Sequence, residues 1–374
     1  MLLLFWTSLI LLIYAFIGYP LILFVAGSAR SGHSISRADY TPRVSILLSA
    51  FNEEAVISEK ITNFLCLDYP PDLIEMVIVC DNCSDRTEQI IRENKNERLR
   101  LLVQNSRKGK TLNLNLAVEA SLGDILIFTD ANSMFRKDAV RRLAALFASP
   151  SVGLVSGRSM YVDSRNRTEQ TGGLYRSYEE FIKKTESSVA SIVGADGAIY
   201  ALRKSLYKPL RPEEINDLIH PIQVVQQGFL AISDTGAVCS EVVDERYADE
   251  FNRQTRIMAQ SWHIICSQVG NLMGAGKFVY LWQVFSHKLL RWLTIPLLLI
   301  IFSTNLLLLR HGMSYQVIFG CQFIFMVMAI IGRSVHRGIP RVVFMFLLLH
   351  CAAVLGFFRY ISGSTYTTWN PRNN

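Results

Sequence analysis

From Leu2 to Val25 the chain carries no charged residue. A helix of that length crosses a bilayer core, where only a backbone that satisfies its own amides is stable. The run has no basic start and no small-residue cleavage site, so it is expected to stay as an anchor rather than leave as a signal peptide. Arg30, Arg37 and Arg43 follow it, and the positive-inside rule places that side in the cytoplasm. Three further apolar stretches, at about 293–309, 315–332 and 342–358, lie near the other end. Before them, KFVYLWQVFSHKLLRW (277–292) mixes aromatics and leucines with Lys277, His287, Lys288 and Arg291, which predicts an amphipathic helix in the interface. The arginine-rich loop RSVHRGIPR (333–341) belongs on the cytoplasmic side. Strict alternation then puts the tail outside, unless 342–358 is re-entrant or interfacial.

Half of the 374 residues are hydrophobic and 18% are charged, which leaves room for one soluble domain beside the membrane helices. The expected divisions are an N-terminal span (1–27), a linker (28–40), an α/β domain (41–268), an interface helix (276–292), spans (293–360) and a tail (361–374). The net charge of +7 is modest and its basic residues are scattered, so nucleic acid is excluded as a partner. Anionic head groups and nucleotide phosphates suit that charge better. Of seven cysteines only Cys80 and Cys83 have CxxC spacing. Without a second pair or a thioredoxin-like context, they read as reduced cytosolic thiols.

Between the apolar ends, strand and helix patterns alternate. VSILLS (44–49) is followed by a helical pattern from Glu53, VIVC (77–80) by one from Asp85, LRLLV (99–103) by one from Thr111, and then comes ILIFT (125–129). This alternation predicts parallel strands joined by right-handed crossovers. The second half is less regular, with VGLVSG (152–157), a charged helix around 175–189 and GAIYALR (197–203).

Two of these strands run straight into acid, in VIVCDNCSD (77–85) and ILIFTDAN (125–132). Carboxylates at the carboxyl ends of parallel strands stand where open α/β sheets bind ligands. Asp81, with Asn52 and Glu53 of SAFNEE (49–54) beside it, can meet a nucleoside; an Asx turn or helix cap is the competing reading. Asp130 and Asn132 offer two oxygen ligands for a hard divalent cation, or again a cap. Lys110 in RKGKTLN (107–113) precedes a helix and suits a phosphate. Asp217 in PEEINDLIHP (212–221) can serve as a general base or belong to an exposed acidic loop. Arg253 and Arg256 share a helical face by their i,i+3 spacing and can meet a diphosphate or an anionic acceptor, or simply face solvent or lipid.

Taken in order, SAFNEE, CDNCSD, KGK, TDAN, Asn216-Asp217 and RQTRI resemble the membrane-bound family 2 glycosyltransferases of the exopolysaccharide type. SHKLLRW (286–292) and WNPR (369–372) extend the likeness over nearly the whole chain. The resemblance implies an α/β GT-A (Rossmann-like) domain on the cytoplasmic side of the inner or plasma membrane. It also implies inverting transfer from a nucleotide-sugar, most often a UDP-sugar, with Mg²⁺ or Mn²⁺. Ala50, Asn52, Glu53 and Asp81 would hold the nucleoside. Lys110 and Asp130 would hold the diphosphate, with Asp130 and Asn132 on the metal. Asp217 would be the base, Asp196 in GADGAIYA (194–201) an acceptor contact, and Arg253 and Arg256 contacts to acceptor or diphosphate.

The chain departs from the family at two places. Asn132 stands where the second Asp of the metal motif is expected, so metal contact rests mainly on Asp130. Processive synthases carry Gln-x-x-Arg-Trp where this chain has Arg253 to Ile257, without that Gln and Trp. Glycan extension, transfer of one sugar to polyprenyl phosphate, and an inactive nucleotide-binding scaffold are the readings to separate. Membrane lipids are expected partners throughout.

Overall fold

The uncharged N-terminal run forms α1 (Leu2–Ile13), a π-helical turn (Tyr14–Gly18) and α2 (Tyr19–Ala29), one continuous helix with a wide turn inside it. The computed structural model describes residues 1–29, 40–162, 173–242, 247–335 and 338–363. Most of the expected linker lies outside the described residues, as do the tail from 364 with WNPR and His336 and Arg337 of the arginine-rich loop.

The α/β part follows as β1 (Val44–Ala50), α3 (Ile57–Leu65), β2 (Ile74–Asp81), α4 (Thr87–Glu93), β3 (Leu99–Gln104), α5 (Lys110–Ala120), β4 (Ile125–Thr129) and β5 (Ser133–Phe135). It continues with α6 (Ala139–Ala145), β6 (Val152–Val162), α7 (Gly173–Val189), β7 (Ile199–Arg203), α8 (Asn216–Gln226) and β8 (Leu230–Val242). The strands form one sheet in the order β3-β2-β1-β4-β7-β6-β8-β5. The first four run parallel. β7 then pairs antiparallel with both β4 and β6, so the sheet is mixed.

Apolar runs such as Ile46–Leu48, Val77–Cys80 and Ile125–Phe128 are fully buried, as central parallel strands covered on both faces must be. α3 covers one face with Ile57, Ile61 and Phe64, at helical spacing and nearly inaccessible. The helix expected from Glu53 instead starts at Ile57, because residues 52–56 make a turn whose Glu53 carbonyl accepts from Val56 (3.0 Å) and Ile57 (2.9 Å). The strand read at 152–157 runs on to Val162 through two register shifts against β8, which parity of apolar residues does not reveal.

The remaining helices are α9 (Tyr247–Gly274), α10 (Phe278–Val284), α11 (Leu290–Trp292), α12 (Thr294–Leu308), α13 (Met313–Gly332) and α14 (Ile339–Ile361). The segment expected to form an interface helix folds as α10 and α11 joined by a second π-helical turn, Phe285–Leu289. Among the described residues, four helices are long and apolar enough to cross a membrane: Leu2–Ala29, Thr294–His311, Met313–Gly332 and Ile339–Ile361. Their outward side chains are apolar, with Leu3, Met313 and Ile330 all more than 70% exposed, a face suited to lipid rather than water.

Packing divides the chain into two units. One comprises Met1–Val25, Glu245–His263 and Leu281–Ser364; the other includes Ala26–Asp244 and Ile264–Tyr280. In the apolar unit α1 lies on α12, with Phe5 against Ile301, Leu308 and Tyr315. The Trp282 indole donates to the Tyr14 hydroxyl at 2.8 Å, and Ser286 lies 2.9 Å from the same hydroxyl.

In the sheet unit, Gly123 enters β4 directly against the start of β1. A Cβ there would lie 2.5 Å from the Ser45 nitrogen and 2.7 Å from the Val44 carbonyl carbon. Gly123→Ala is therefore expected to lower stability by about 1–3 kcal/mol. Thermal unfolding of the detergent-solubilised protein measures this; an unchanged midpoint would show that the strand has room to move.

Candidate functional site

Parallel pairing brings the ends of β2, β1 and β4 to one edge of the sheet. Ala50 at the end of β1 is level with Cys80 on β2, and Leu47 with Phe128 on β4. Asp81, Asn52, Glu53 and Asp130 therefore leave adjacent strands in the same direction. The two loops on the β1–β2 side are laced together. Asn52, in the left-handed region at φ 53°, donates to the Ser84 hydroxyl (3.0 Å) and accepts from the Ser84 amide (2.9 Å). The Glu53 amide donates to Thr87 Oγ1 at 2.7 Å.

Asp81 is buried, and both of its oxygens accept backbone hydrogens, from Lys108 (2.7 Å) and Gly109 (2.9 Å). It thus fixes the turn that starts α5. The Arg107 guanidinium lies 3.7 Å from the Phe51 ring centroid, tying the same turn to the end of β1. Two side chains fix α5 from the other direction: Thr111 Oγ1 donates to the Glu214 carbonyl (2.9 Å) and Asn115 Nδ2 to that of Leu210 (2.8 Å).

Lys110 begins α5 and reaches Asp130, with Nζ 2.5 Å from Oδ1. Both side chains stay partly open to solvent. Burial pushes the Glu53 carboxyl up to about 7, helped by the negative charges of Asp130 and Asp85. The corner thus concentrates carboxylates around one lysine. Among the described residues, no three His, Cys, Asp or Glu side chains cluster as a ready-made metal cage. In donor chemistry, the Asp130 carboxylate and the Asn132 amide oxygen, two residues apart on one turn, are of the kind a hard divalent cation takes. Such ions are commonly held by one or two protein oxygens, with phosphates and water completing the shell.

The start of β7 comes to the same corner, since Ile199 pairs with Thr129 and the Thr129 hydroxyl donates to the Ala198 carbonyl (2.9 Å). Asp217, in the first turn of α8, lies against this segment. Its carbonyl accepts from Ala195 (2.8 Å), and a Cβ on Gly197 would lie 3.1 Å from its Oδ2. Asp196 is engaged internally. Its Oδ2 accepts from the amide and hydroxyl of Ser159 (2.8 Å each), and its Oδ1 from Ala198 (3.2 Å).

Behind Asp217 lies a fully buried chain of hydrogen bonds. Asn216 donates to the Tyr200 hydroxyl at 2.7 Å, and that hydroxyl shares a hydrogen bond with His220 Nδ1 at 2.9 Å. Burial pushes His220 down to about 3, so its imidazole is neutral. Phe128 stacks on Tyr200 with centroids 4.8 Å apart. These contacts hold the start of α8 against the sheet.

Sequence reasoning missed Lys60. Its side chain is buried on the apolar face of α3. Its ammonium donates to Thr129 Oγ1 (2.9 Å) and to the Ser133 carbonyl, so it braces both ends of the turn that carries Asp130 and Asn132. Burial lowers its pKa to about 8. Asn63, one turn on, exchanges two 2.8 Å bonds with the Phe135 backbone. The available signal was a lysine set inside the stripe Ile57, Ile61, Phe64, where a solvated residue has no place. Arg253 and Arg256 belong to the other unit. There Arg253 forms a two-pronged pair with Glu250 (2.8 and 2.9 Å), and Arg256 reaches Gln260 at 3.4 Å.

In sequence and in fold, the chain is similar to known glycosyltransferases. A beta-monoglucosyldiacylglycerol synthase of Synechocystis is 36% identical over 121 residues, 31% of this chain and 25% of that protein. A poly-beta-1,6-N-acetyl-D-glucosamine synthase of Staphylococcus epidermidis is 27% identical over 171 residues, 44% and 40% of the two chains. The chain thus spans well under half the length of these relatives. In fold, it is similar to a mannosyltransferase of Pyrobaculum calidifontis solved with GDP-Man and Mn²⁺, at a TM-score of 0.73 and 18% identity over 96% of this chain and 99% of that one. Residues 45–208 match the family described as Glycosyl transferase family 2, and the chain carries a domain of that family on a GT-A fold.

Proposed function

We propose that the chain transfers a sugar, with inversion, from a nucleotide-sugar to a saccharide or lipid-linked acceptor at the cytoplasmic face of the inner membrane. The observation that supports this most is the meeting of Asp130, Lys110 and the Gly197–Asp217 contact at one sheet edge. The four apolar helices support work at a membrane.

In this reading the end of β1 from Ala50 to Glu53 and the turn held by Asp81 receive the nucleoside. The α5 N-terminus and Lys110 take the diphosphate. Asp130 and Asn132 hold Mg²⁺ or Mn²⁺, which when bound supplies Lewis-acid stabilisation of the leaving diphosphate. Asp217 accepts the proton of the acceptor hydroxyl as its oxygen attacks the anomeric carbon from the side opposite the nucleotide. Asp196 acts through its hold on Ser159, shaping the wall of the acceptor side.

A second reading, transfer of one sugar to a polyprenyl phosphate or other lipid, draws support from Ile257 standing where processive synthases have Trp. The lipid named in the glucosyldiacylglycerol synthase relatives is in keeping with it. Product length from the purified enzyme separates the two readings. An inactive scaffold would leave a nucleotide-sugar unhydrolysed in the presence of metal.

Asp217→Asn is expected to leave donor binding intact while turnover falls about 10²–10⁴-fold. Near-normal turnover would remove the base from Asp217. Because Glu53 titrates near 7 before ligands arrive, a cation bound beside it favours the deprotonated carboxylate and releases a proton. Affinity for Mn²⁺ with UDP should therefore rise from pH 6 to pH 8, by up to about tenfold, and level off above that. Glu53→Gln should flatten that profile; a profile unchanged by the substitution would detach Glu53 from the site.

A further inference from the structure

Lys110 and Asp130 form an ion pair whose two members are held very differently. Asp130 is fixed from behind. Its neighbour Thr129 is bonded to Ala198 and to the buried Lys60 ammonium, and Lys60 also holds Ser133 beyond it. Lys110 is fixed at its backbone, where Asp81 holds the two preceding amides and Gly109 turns at φ 88° into the helix. From there a flexible stem carries the ammonium to Asp130, and the pair is 35% and 40% exposed, open to an incoming ligand. A divalent cation on Asp130 would sit about 2–2.6 Å from its oxygens. The ammonium now stands 2.5 Å from Oδ1, in competition for the same lone pairs. Two cations so close repel, and the lysine is the one that can leave.

We propose that Lys110 is a built-in competitor of the divalent cation, holding Asp130 until a nucleotide diphosphate draws the ammonium away, so that metal and donor bind as a coupled pair. This rests on the assignment of Asp130 to the metal made above. The diphosphate offers the ammonium a better-charged partner beside the amides at the start of the eleven-residue α5, and the vacated carboxylate then accepts the cation. By linkage the coupling is reciprocal: the factor by which nucleotide tightens metal equals that by which metal tightens nucleotide. Free metal in the cytoplasm would then leave the empty site largely alone.

The test is a titration of the full-length protein in detergent with Mn²⁺, followed by electron paramagnetic resonance, with and without UDP or GDP. Lys110→Met keeps the stem and removes the charge. It is expected to bind Mn²⁺ about tenfold more tightly than wild type without nucleotide, and to lose most of the nucleotide-dependent gain. Lys110→Arg should behave as wild type. If Lys110→Met binds Mn²⁺ no more tightly than wild type without nucleotide, the competitor role is overturned. Asp130→Asn separates this from the underlying assignment. Loss of Mn²⁺ binding in that variant with no tightening in Lys110→Met removes the competitor alone. Unchanged Mn²⁺ binding in Asp130→Asn removes the metal assignment itself.

Discussion

Parallel pairing of β2, β1 and β4 is the constraint from which the rest of the sheet unit follows. Once these strands run side by side in the same direction, their acidic continuations leave at one edge. The strands are buried on both faces, so register is set by apolar contact rather than by the loops. The loops can then be polar and still be held to within a few tenths of an ångström. Reversal at β7 adds a second source of side chains to that edge, because an antiparallel strand begins where its parallel neighbour ends. Asp217 comes to the corner by that route.

Much of this was legible because strands advertise themselves. β-branched runs that stop at Asp gave the positions of β2 and β4, and the alternation with helices gave their parallel sense. Helix starts were less legible. Asn52 adopts a left-handed backbone for the sake of Ser84, a partner 32 residues away, and this delays α3 until Ile57. No local propensity encodes such a bond. The same holds for the bulged course of β6, which answers to β8 rather than to its own residues. Lys60 was passed over for a related reason: a lysine reads as surface until the turn that needs its ammonium is in view.

Side chains that look alike in sequence are used differently. Asp81 and Asp196 keep their oxygens on backbone amides, and so build the walls. Asp130 and Asp217 turn their carboxylates toward Lys110 and Gly197, and these are the two acids the proposed reaction draws on. The two lysines divide likewise into one sealed in the core and one on a movable stem. Burial sets the division, because a charged group deprived of water must find every partner inside the protein.

Gly197 sets a condition of another kind. With only hydrogen there, the face of Asp217 meets bare backbone; a methyl would come within 3.1 Å of the carboxylate oxygen. A descendant of this chain that gained that single carbon would have to shift the carboxylate by a few tenths of an ångström, every acid still in place. A census of aspartates would find nothing changed, and the displaced oxygen would go unnoticed.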